Sequence, residues 1–201
     1  VAAPPNPYRC PPAPYERASQ IAYYLKQHKP NSKVIVLDPK PSFTKQALFE
    51  QAWTELYGYK TNNALLEWHS GEQASGVVEV DVASKTVTTE FGDQIQAAVL
   101  NIIPPQKAGK LAFDADLVDS TGWCPVNKLT FESTRHATIH VIGDACMADS
   151  LPKSGFAANS EAKVCAAAIY ALLKGQEVES PAFSNGCYSL VGKDYAISVV
   201  G

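Results

Sequence analysis

The chain has 201 residues, of which 46% are hydrophobic and 18% are charged, and its formal net charge is −3. Such a weakly acidic chain lacks the basic excess that nucleic acid or an anionic membrane surface would attract, so neither is expected as a partner. No apolar run is long enough to span a bilayer, and no membrane span is expected. The length allows one large domain or two small ones.

The first elements predicted along the chain form a βαβ unit. Residues 1–3 read as the end of a strand, residues 18–25 carry a helical apolar pattern, and a short apolar strand over 34–37 ends at Asp38. Strands that alternate with helices predict an α/β protein with a parallel sheet. In a dinucleotide-binding unit an acid at this strand end binds the adenine ribose. Without the glycines of such a unit, Asp38 is interpreted as a vestige or as a helix or turn cap.

The turn between this first strand and helix holds a cysteine where many nucleotide-binding folds hold glycines. Dinucleotide-binding turns read G-x-G-x-x-G, because only glycine lets a pyrophosphate approach the backbone. Here the turn contains Cys10 and is rich in proline, with Pro5, Pro7, Pro11 and Pro12. Proline has no N–H group to bind phosphate. The pattern favours a turn built to present Cys10, and the alternative is a proline-stiffened turn with an incidental cysteine.

Glu16 and Cys187 are the two residues that could work with Cys10. Glu16 is expected in the first turn of the helix after Cys10, near enough to act as a proton acceptor, although an acid is also simply favourable at a helix N-terminus. Cys187 is predicted in a turn over 185–188, a presented position, and the alternative is a lone loop cysteine. The chain has five cysteines, so at least one has no partner within it, and Cys165 is expected to be a small buried apolar residue.

The remaining elements follow in chain order: a helix over 44–57, a strand beginning at 65, a β-meander with strands 77–82, 86–91 and 95–103, a buried strand over 138–142, an alanine-rich helix over 156–173 and a strand from 195. No cysteine or histidine spacing is typical of a metal site. Four histidines do not cluster with carboxylates or with each other at the spacing of a metal site: His28, His69, His136 and His140. No metal is therefore expected.

Gly143 and Asp144 stand at the end of the predicted buried strand, and Thr134 lies upstream. A carboxylate there can accept hydrogen bonds from a sugar-type hydroxyl, and the helix that starts after the next loop can stabilise an anion at its N-terminus. A reduced flavin needs both, because its ribityl chain is a polyol and one edge of its ring becomes anionic. The pattern favours a flavin site, and the alternative is that Asp144 is a turn residue.

Several segments together resemble one enzyme family: the Cys10 motif over 7–17, and the segments 104–109, 122–126, 139–145, 152–154 and 187–190. They are similar to the flavoprotein subunit of flavocytochrome c sulfide dehydrogenase, with sulfide:quinone oxidoreductases and pyridine nucleotide–disulfide oxidoreductases as more distant relatives. The resemblance implies an FAD enzyme that oxidises sulfide in the periplasm and passes electrons to a c-type cytochrome subunit.

The resemblance also implies roles for single residues. Cys10 and Cys187 would form a redox-active disulfide beside the flavin, and Asp144 with Gly143 would hold its ribityl chain. The start of the long helix would approach the ring with Lys153, Ser154, Gly155 and Phe156. Glu16 is the candidate for proton handling.

The implied fold is Rossmann-like, with a β-meander and a partial FAD-domain segment. Residues 1–111 would be a dinucleotide-type domain without the nucleotide fingerprint, 112–176 the end of the FAD-binding domain and 177–201 the start of a third domain. The chain is thus expected to be a central fragment that does not hold FAD stably by itself. Two alternatives stay open: an NAD(P)H- or quinone-linked flavin disulfide reductase, and a non-catalytic scaffold derived from the same fold.

Overall fold

The computed structural model describes residues 1–71, 76–148 and 151–201. Its helices are α1 (Ala13–His28), α2 (Gln46–Tyr57), α3 (Lys110–Asp114) and α4 (Gly155–Leu173). Its strands are β1 (Val34–Asp38), β2 (Leu66–Ser70), β3 (Val77–Asp81), β4 (Thr86–Thr89), β5 (Gln94–Gln96), β6 (Cys124–Pro125), β7 (Cys146–Met147), β8 (Gly186–Gly192) and β9 (Tyr195–Val200). This mixture of helices and sheets confirms the predicted α/β class. None of the described helices combines the length and apolar character needed to cross a membrane.

The described residues divide into two compact units. The first unit comprises Val1–Pro105 and Tyr188–Ser198, and the second comprises Gln106–Cys187 and Val199–Gly201. Side chains of the helices explain why a late segment belongs to the first unit. The Tyr57 hydroxyl donates to the Val191 carbonyl, and Gln20 Nε2 donates to the Leu190 carbonyl at 2.8 Å.

A parallel sheet organises the first unit. β1 pairs with β2, with Val34 opposite Leu66. Ala2 forms parallel bridges to Leu37 on one side and to Ile102 on the other. The order across the sheet is therefore β2, β1, the first residues of the chain, and the segment at Ile102. The carboxyl ends of these strands all meet at one edge, where the Cys10 turn follows residues 1–3.

The prediction of a single strand over 95–103 is wrong. β5 ends at Gln96, which pairs with Thr86 in the antiparallel meander β3–β4–β5. Further along, the Ala2 amide donates to the Asn101 carbonyl at 2.9 Å, and the Ile103 amide donates to the Ala2 carbonyl at 3.1 Å. The segment changes sheets between these two sets of bonds, and the hydrophobic pattern does not reveal the change.

Aromatic side chains fill the core of the first unit. Phe49, Trp53 and Tyr15 are fully buried, and the rings of Tyr15 and Phe43 stack with centroids 3.6 Å apart. Trp53 Nε1 donates to Ser19 Oγ at 2.8 Å, so the indole nitrogen keeps a partner inside the core. This packing holds the start of α1, the element that directly follows Cys10.

The second unit has smaller apolar clusters, one of them around Phe131, Cys146 and Cys165. The expectation that Cys165 is a buried apolar residue is confirmed, and burial raises the pKa of its thiol. α4 confirms the predicted alanine-rich helix to within one residue at its start.

The predicted buried strand over 138–142 is wrong. Only a bridge between Glu132 and His140 forms there, and Ile139 and Ile142 are each 40% exposed. Thr138 has a φ of +65°, and the Ser133 amide donates to the Ile139 carbonyl at 2.7 Å. The segment bends back on residues 131–133, so it does not extend along a sheet.

Two histidines each lie within hydrogen-bonding distance of one carboxylate. His69 Nε2 lies 3.2 Å from Glu67 Oε2, and His136 Nε2 lies 3.1 Å from Asp116 Oδ2. Each pair involves a single carboxylate. In the part of the chain that the structure describes, no group of three or more His, Cys, Asp or Glu side chains could hold a metal ion.

Candidate functional site

Cys10 lies exposed in the turn that joins the first strand to α1. Its φ is +55°, in the left-handed region, and its carbonyl accepts from the Ala13 amide at 2.9 Å. A non-glycine residue held there costs about 1–3 kcal/mol and persists only where the surroundings impose it. The turn therefore holds Cys10 in one conformation at the surface.

A buried lysine supports the same turn from inside. Lys40 is only 6% exposed, and its ammonium donates to the Pro4 carbonyl at 2.7 Å and lies 4.8 Å from the centroid of the Tyr8 ring. The Tyr8 hydroxyl in turn donates to the Pro11 carbonyl at 2.7 Å, and burial raises the pKa of Tyr8 to about 12. The carbonyl and the ring both belong to the turn, so its interior is organised around a cation.

Asp38 is the counterion of Lys40, at a distance of 2.6 Å, and is fully buried. Its carboxylate also accepts from the Tyr15 hydroxyl at 2.5 Å, from Trp68 Nε1 at 3.1 Å and from the Lys40 amide at 3.0 Å. Burial and the bond to Asp38 hold the pKa of Tyr15 well above its usual range. Asp38 caps a turn through the Lys40 amide, as expected, and it is also the centre of a buried polar network.

Glu16 lies in the first turn of α1, as predicted. Its Oε1 accepts from the Leu190 amide at 2.9 Å, while Gln20, one helical turn later, donates to the Leu190 carbonyl at 2.8 Å. Both backbone groups of Leu190 are therefore bound by α1. Leu190 lies in β8, three residues after Cys187 along the chain.

Cys187 lies in β8, and the prediction that it lies in a turn is wrong. Cys187 belongs to the second unit, whereas Cys10 belongs to the first. The Cys10–Cys187 pairing stays a prediction. Gly186, next to Cys187, lies against the ring of Phe156. A Cβ atom added at Gly186 would lie 3.8 Å from the nearest atom of that ring.

The start of α4 is tied to the residues before Cys187. Ser154 caps the helix, because its Oγ accepts from the Ala157 amide at 3.0 Å. The same hydroxyl donates to Asn185 Oδ1 at 2.6 Å. Asn185 is buried and bonds Gly201 through both of its backbone groups. The predicted cofactor residues Ser154, Gly155 and Phe156 are thus brought next to the segment that carries Cys187.

Gly143 and Asp144 form a 3-10 turn, Gly143–Ala145, and Asp144 is exposed. Gly143 has a φ of +70°, which favours glycine, and its amide donates to Glu161 Oε2 at 2.6 Å. Glu161 projects from α4 and is buried. The sequence analysis did not single out Glu161. A lone acidic residue within an alanine-rich helix could have indicated a buried carboxylate with a polar partner.

Lys153 is also buried, and its ammonium lies 3.8 Å from Cys146 Sγ. Glu161 Oε2 lies 3.6 Å from the same sulfur. The Lys153 side chain thus points into the second unit's interior, and its contact with a flavin stays a prediction.

The family model for the central part of the sulfide dehydrogenase (flavocytochrome c) flavoprotein chain matches residues 1–104, more than half of the sequence. The chain belongs to this family. The matched stretch contains the Cys10 turn, the Asp38–Lys40 pair and Glu16. The resemblance inferred from the Cys10 motif is therefore confirmed.

Two solved structures resemble this flavocytochrome c family member. One is a chain in the cryo-EM structure of the Tetrahymena thermophila mitochondrial ATP synthase, with a TM-score of 0.68, 16% identity and 99% of this chain covered. The other is the sulfide:quinone oxidoreductase of Aquifex aeolicus, with a TM-score of 0.63, 15% identity and 93% of this chain covered. At such identities the likeness shows the fold alone. The chain spans about half the length of each, 49% and 50%.

The groups predicted to hold a flavin all lie in the second unit. The exposed Asp144 carboxylate is suited to a ribityl hydroxyl, and the left-handed Gly143 leaves the turn without a side chain. The first N–H groups of α4, at Gly155 and Phe156, precede the capped Ala157 amide, and a Cβ at Gly155 would meet no atom within 4 Å. Helix N-terminal N–H groups of this kind stabilise an anionic ring edge.

Replacing the α4 cap tests this part of the site. Ser154→Ala removes the acceptor for the Ala157 amide and the donor to Asn185, so we expect the chain to lose about 1–2 kcal/mol of unfolding free energy. Urea unfolding followed by circular dichroism measures the loss. Ser160→Ala, within the same helix, is the control. Equal stability of Ser154→Ala and the native chain would contradict the cap.

Proposed function

We propose that this chain is part of an FAD-dependent sulfide dehydrogenase, which oxidises sulfide through a Cys10–Cys187 disulfide and passes the electrons to a c-type cytochrome subunit. The observation that carries the proposal is the exposed Cys10, which is held at a φ of +55°. Its turn lacks the glycines of a phosphate-binding loop. Membership of the sulfide dehydrogenase flavoprotein family supports the substrate class. A lasting disulfide suits an oxidising compartment, which supports a periplasmic location for the intact protein.

The fold proposed for the first unit is Rossmann-like. Its order of β2, β1, residues 1–3 and Ile102 is that of strands 3-2-1-4 in a doubly wound sheet. Ligands of such sheets bind beyond the carboxyl ends of the strands, where the order reverses. In this chain that position holds the Cys10 turn, which supports a nucleotide fold converted to present sulfur.

The proposed chemistry starts with hydrosulfide. It attacks one sulfur of the Cys10–Cys187 disulfide, so the S–S bond breaks and leaves a persulfide on one cysteine and a thiolate on the other. FAD, when bound, supplies a two-electron acceptor that passes electrons on to the haem subunit. The groups proposed to hold it are the Asp144 carboxylate, the Gly143 turn and the start of α4.

Glu16 is proposed to accept the proton that hydrosulfide loses. The same carboxylate also accepts a hydrogen bond from the Leu190 amide. Two substitutions separate this structural role from the proposed proton transfer. Glu16→Gln keeps an acceptor for the amide but cannot take up a proton, so we expect sulfide oxidation by the full-length enzyme to fall about 100-fold. Glu16→Ala loses both tasks and should be at least as slow. Native activity in Glu16→Gln at all pH values would contradict the proton role.

An NAD(P)H-linked flavin reductase is the main rival. The buried network of Asp38, Lys40 and Tyr15 argues against it. The Asp38 carboxylate would bind the adenine ribose in a dinucleotide-binding unit. In this chain it is buried and bonded to Lys40 and Tyr15 instead. We expect anaerobic sulfide, but not NADH, to bleach the flavin absorbance of the full-length protein. Bleaching by NADH alone would favour the rival, and bleaching by neither reagent would favour a non-catalytic scaffold.

A further inference from the structure

A cation, the Lys40 ammonium, lies at the carboxyl edge of the first unit's sheet, where a phosphate-binding loop would hold an anion. In nucleotide-binding loops, backbone N–H groups point inward at an anion. Here the Pro4 carbonyl points inward at the Lys40 ammonium, at 2.7 Å. Proline-rich backbone has few N–H groups and keeps all its carbonyls, so a cation is the ion that this turn can bind.

The Lys40 ammonium makes two hydrogen bonds and lies over one aromatic ring. Its partners are Asp38 Oδ1 at 2.6 Å, the Pro4 carbonyl at 2.7 Å and the face of the Tyr8 ring at 4.8 Å. Asp38 is held from the other side by Tyr15 and Trp68, which belong to α1 and β2. The cation is therefore fixed to the sheet and the helix, and two residues of the turn rest on it.

A buried ion pair is a poor source of stability, because apolar replacement of both partners is often neutral. Its better attested use is to specify one conformation. In this chain the ion pair lies under the turn that holds Cys10 in the left-handed region, at a φ of +55°.

We propose that Lys40, held by Asp38, is a positioning residue for Cys10: it replaces a bound ligand as the support of the turn and sets how the sulfur is presented. This proposal rests on the proposed function, because the redox role of Cys10 comes from that function. Support of the turn by Lys40 stands apart from that chemistry and is measured separately.

The test compares Asp38→Asn/Lys40→Met, which removes the cation and its counterion together, with Lys60→Met. Lys60 is a matched control, because it also pairs with a carboxylate at 2.7 Å and lies over a tyrosine ring at 5.1 Å, but is exposed on another part of the unit. The first readout is tryptic cleavage after Arg9, within the turn, against cleavage after Arg17, within α1. We expect the double variant to raise cleavage after Arg9 at least tenfold with cleavage after Arg17 unchanged, and Lys60→Met to change neither.

The second readout is the equilibrium of the Cys10–Cys187 disulfide with glutathione in the full-length protein. Loss of a fixed Cys10 lowers the effective concentration of one thiol at the other, so the constant for bridge formation should fall about tenfold in the double variant only. If the native protein forms no such bridge, the proposed function fails while the cleavage readout still tests Lys40. Unchanged cleavage after Arg9 in the double variant, or an equal rise after Arg9 and Arg17, overturns the proposal.

Discussion

Replacing either Cys10 or Cys187 by serine in the full-length protein is expected to abolish sulfide-dependent reduction of cytochrome c. Serine cannot form the disulfide that hydrosulfide attacks, and removal of a reacting nucleophile costs about a thousandfold or more in rate. Stopped-flow absorbance of the haem subunit measures the rate. The effect should be equal for the two variants, because either one removes the same bond.

Cys165→Ala is the control for these variants. Cys165 is buried on α4 among apolar side chains, so its replacement by alanine should keep activity. Retained turnover in both Cys10→Ser and Cys187→Ser would refute the disulfide mechanism. Loss in only one of them would leave a single catalytic cysteine and exclude a bridge.

Lys40→Met alone is expected to lower the unfolding free energy of the chain by about 3–5 kcal/mol, because it strands the fully buried Asp38 carboxylate without its cation. Restoring charge balance with Asp38→Asn/Lys40→Met should recover most of that loss. Urea unfolding followed by tryptophan fluorescence measures both, since Trp68 contacts Asp38.

Lys60→Met sets the scale for an exposed pair. Its side chain is 65% exposed, and such pairs contribute about 0–1 kcal/mol. A Lys40→Met variant as stable as Lys60→Met would mean that water reaches Asp38 and that the network is not a buried one. The comparison therefore decides whether the sheet edge is filled as the structure describes.

Local patterns were enough to predict most elements and the family. The helical period placed α1 and α4, the apolar runs placed β1 and β2, and the Cys10 motif carried the resemblance that the family match confirms. These features depend on residues close together in the chain. The same patterns failed where a segment leaves its sheet, as between 96 and 101, or bends at Thr138, because apolar residues at such a change look like a continuous strand.

The sequence by itself determined that the proline-rich turn around Cys10 is not a phosphate-binding loop, because proline removes the N–H groups that phosphate needs. Only the tertiary structure decided what fills the space that remains. Asp38, read from sequence as a vestige or a cap, holds Lys40 under the turn. Glu16, read as a proton acceptor, also binds the amide of Leu190, 174 residues away. Partners so distant along the chain are set by how the sheet and helices pack, which no local spacing records.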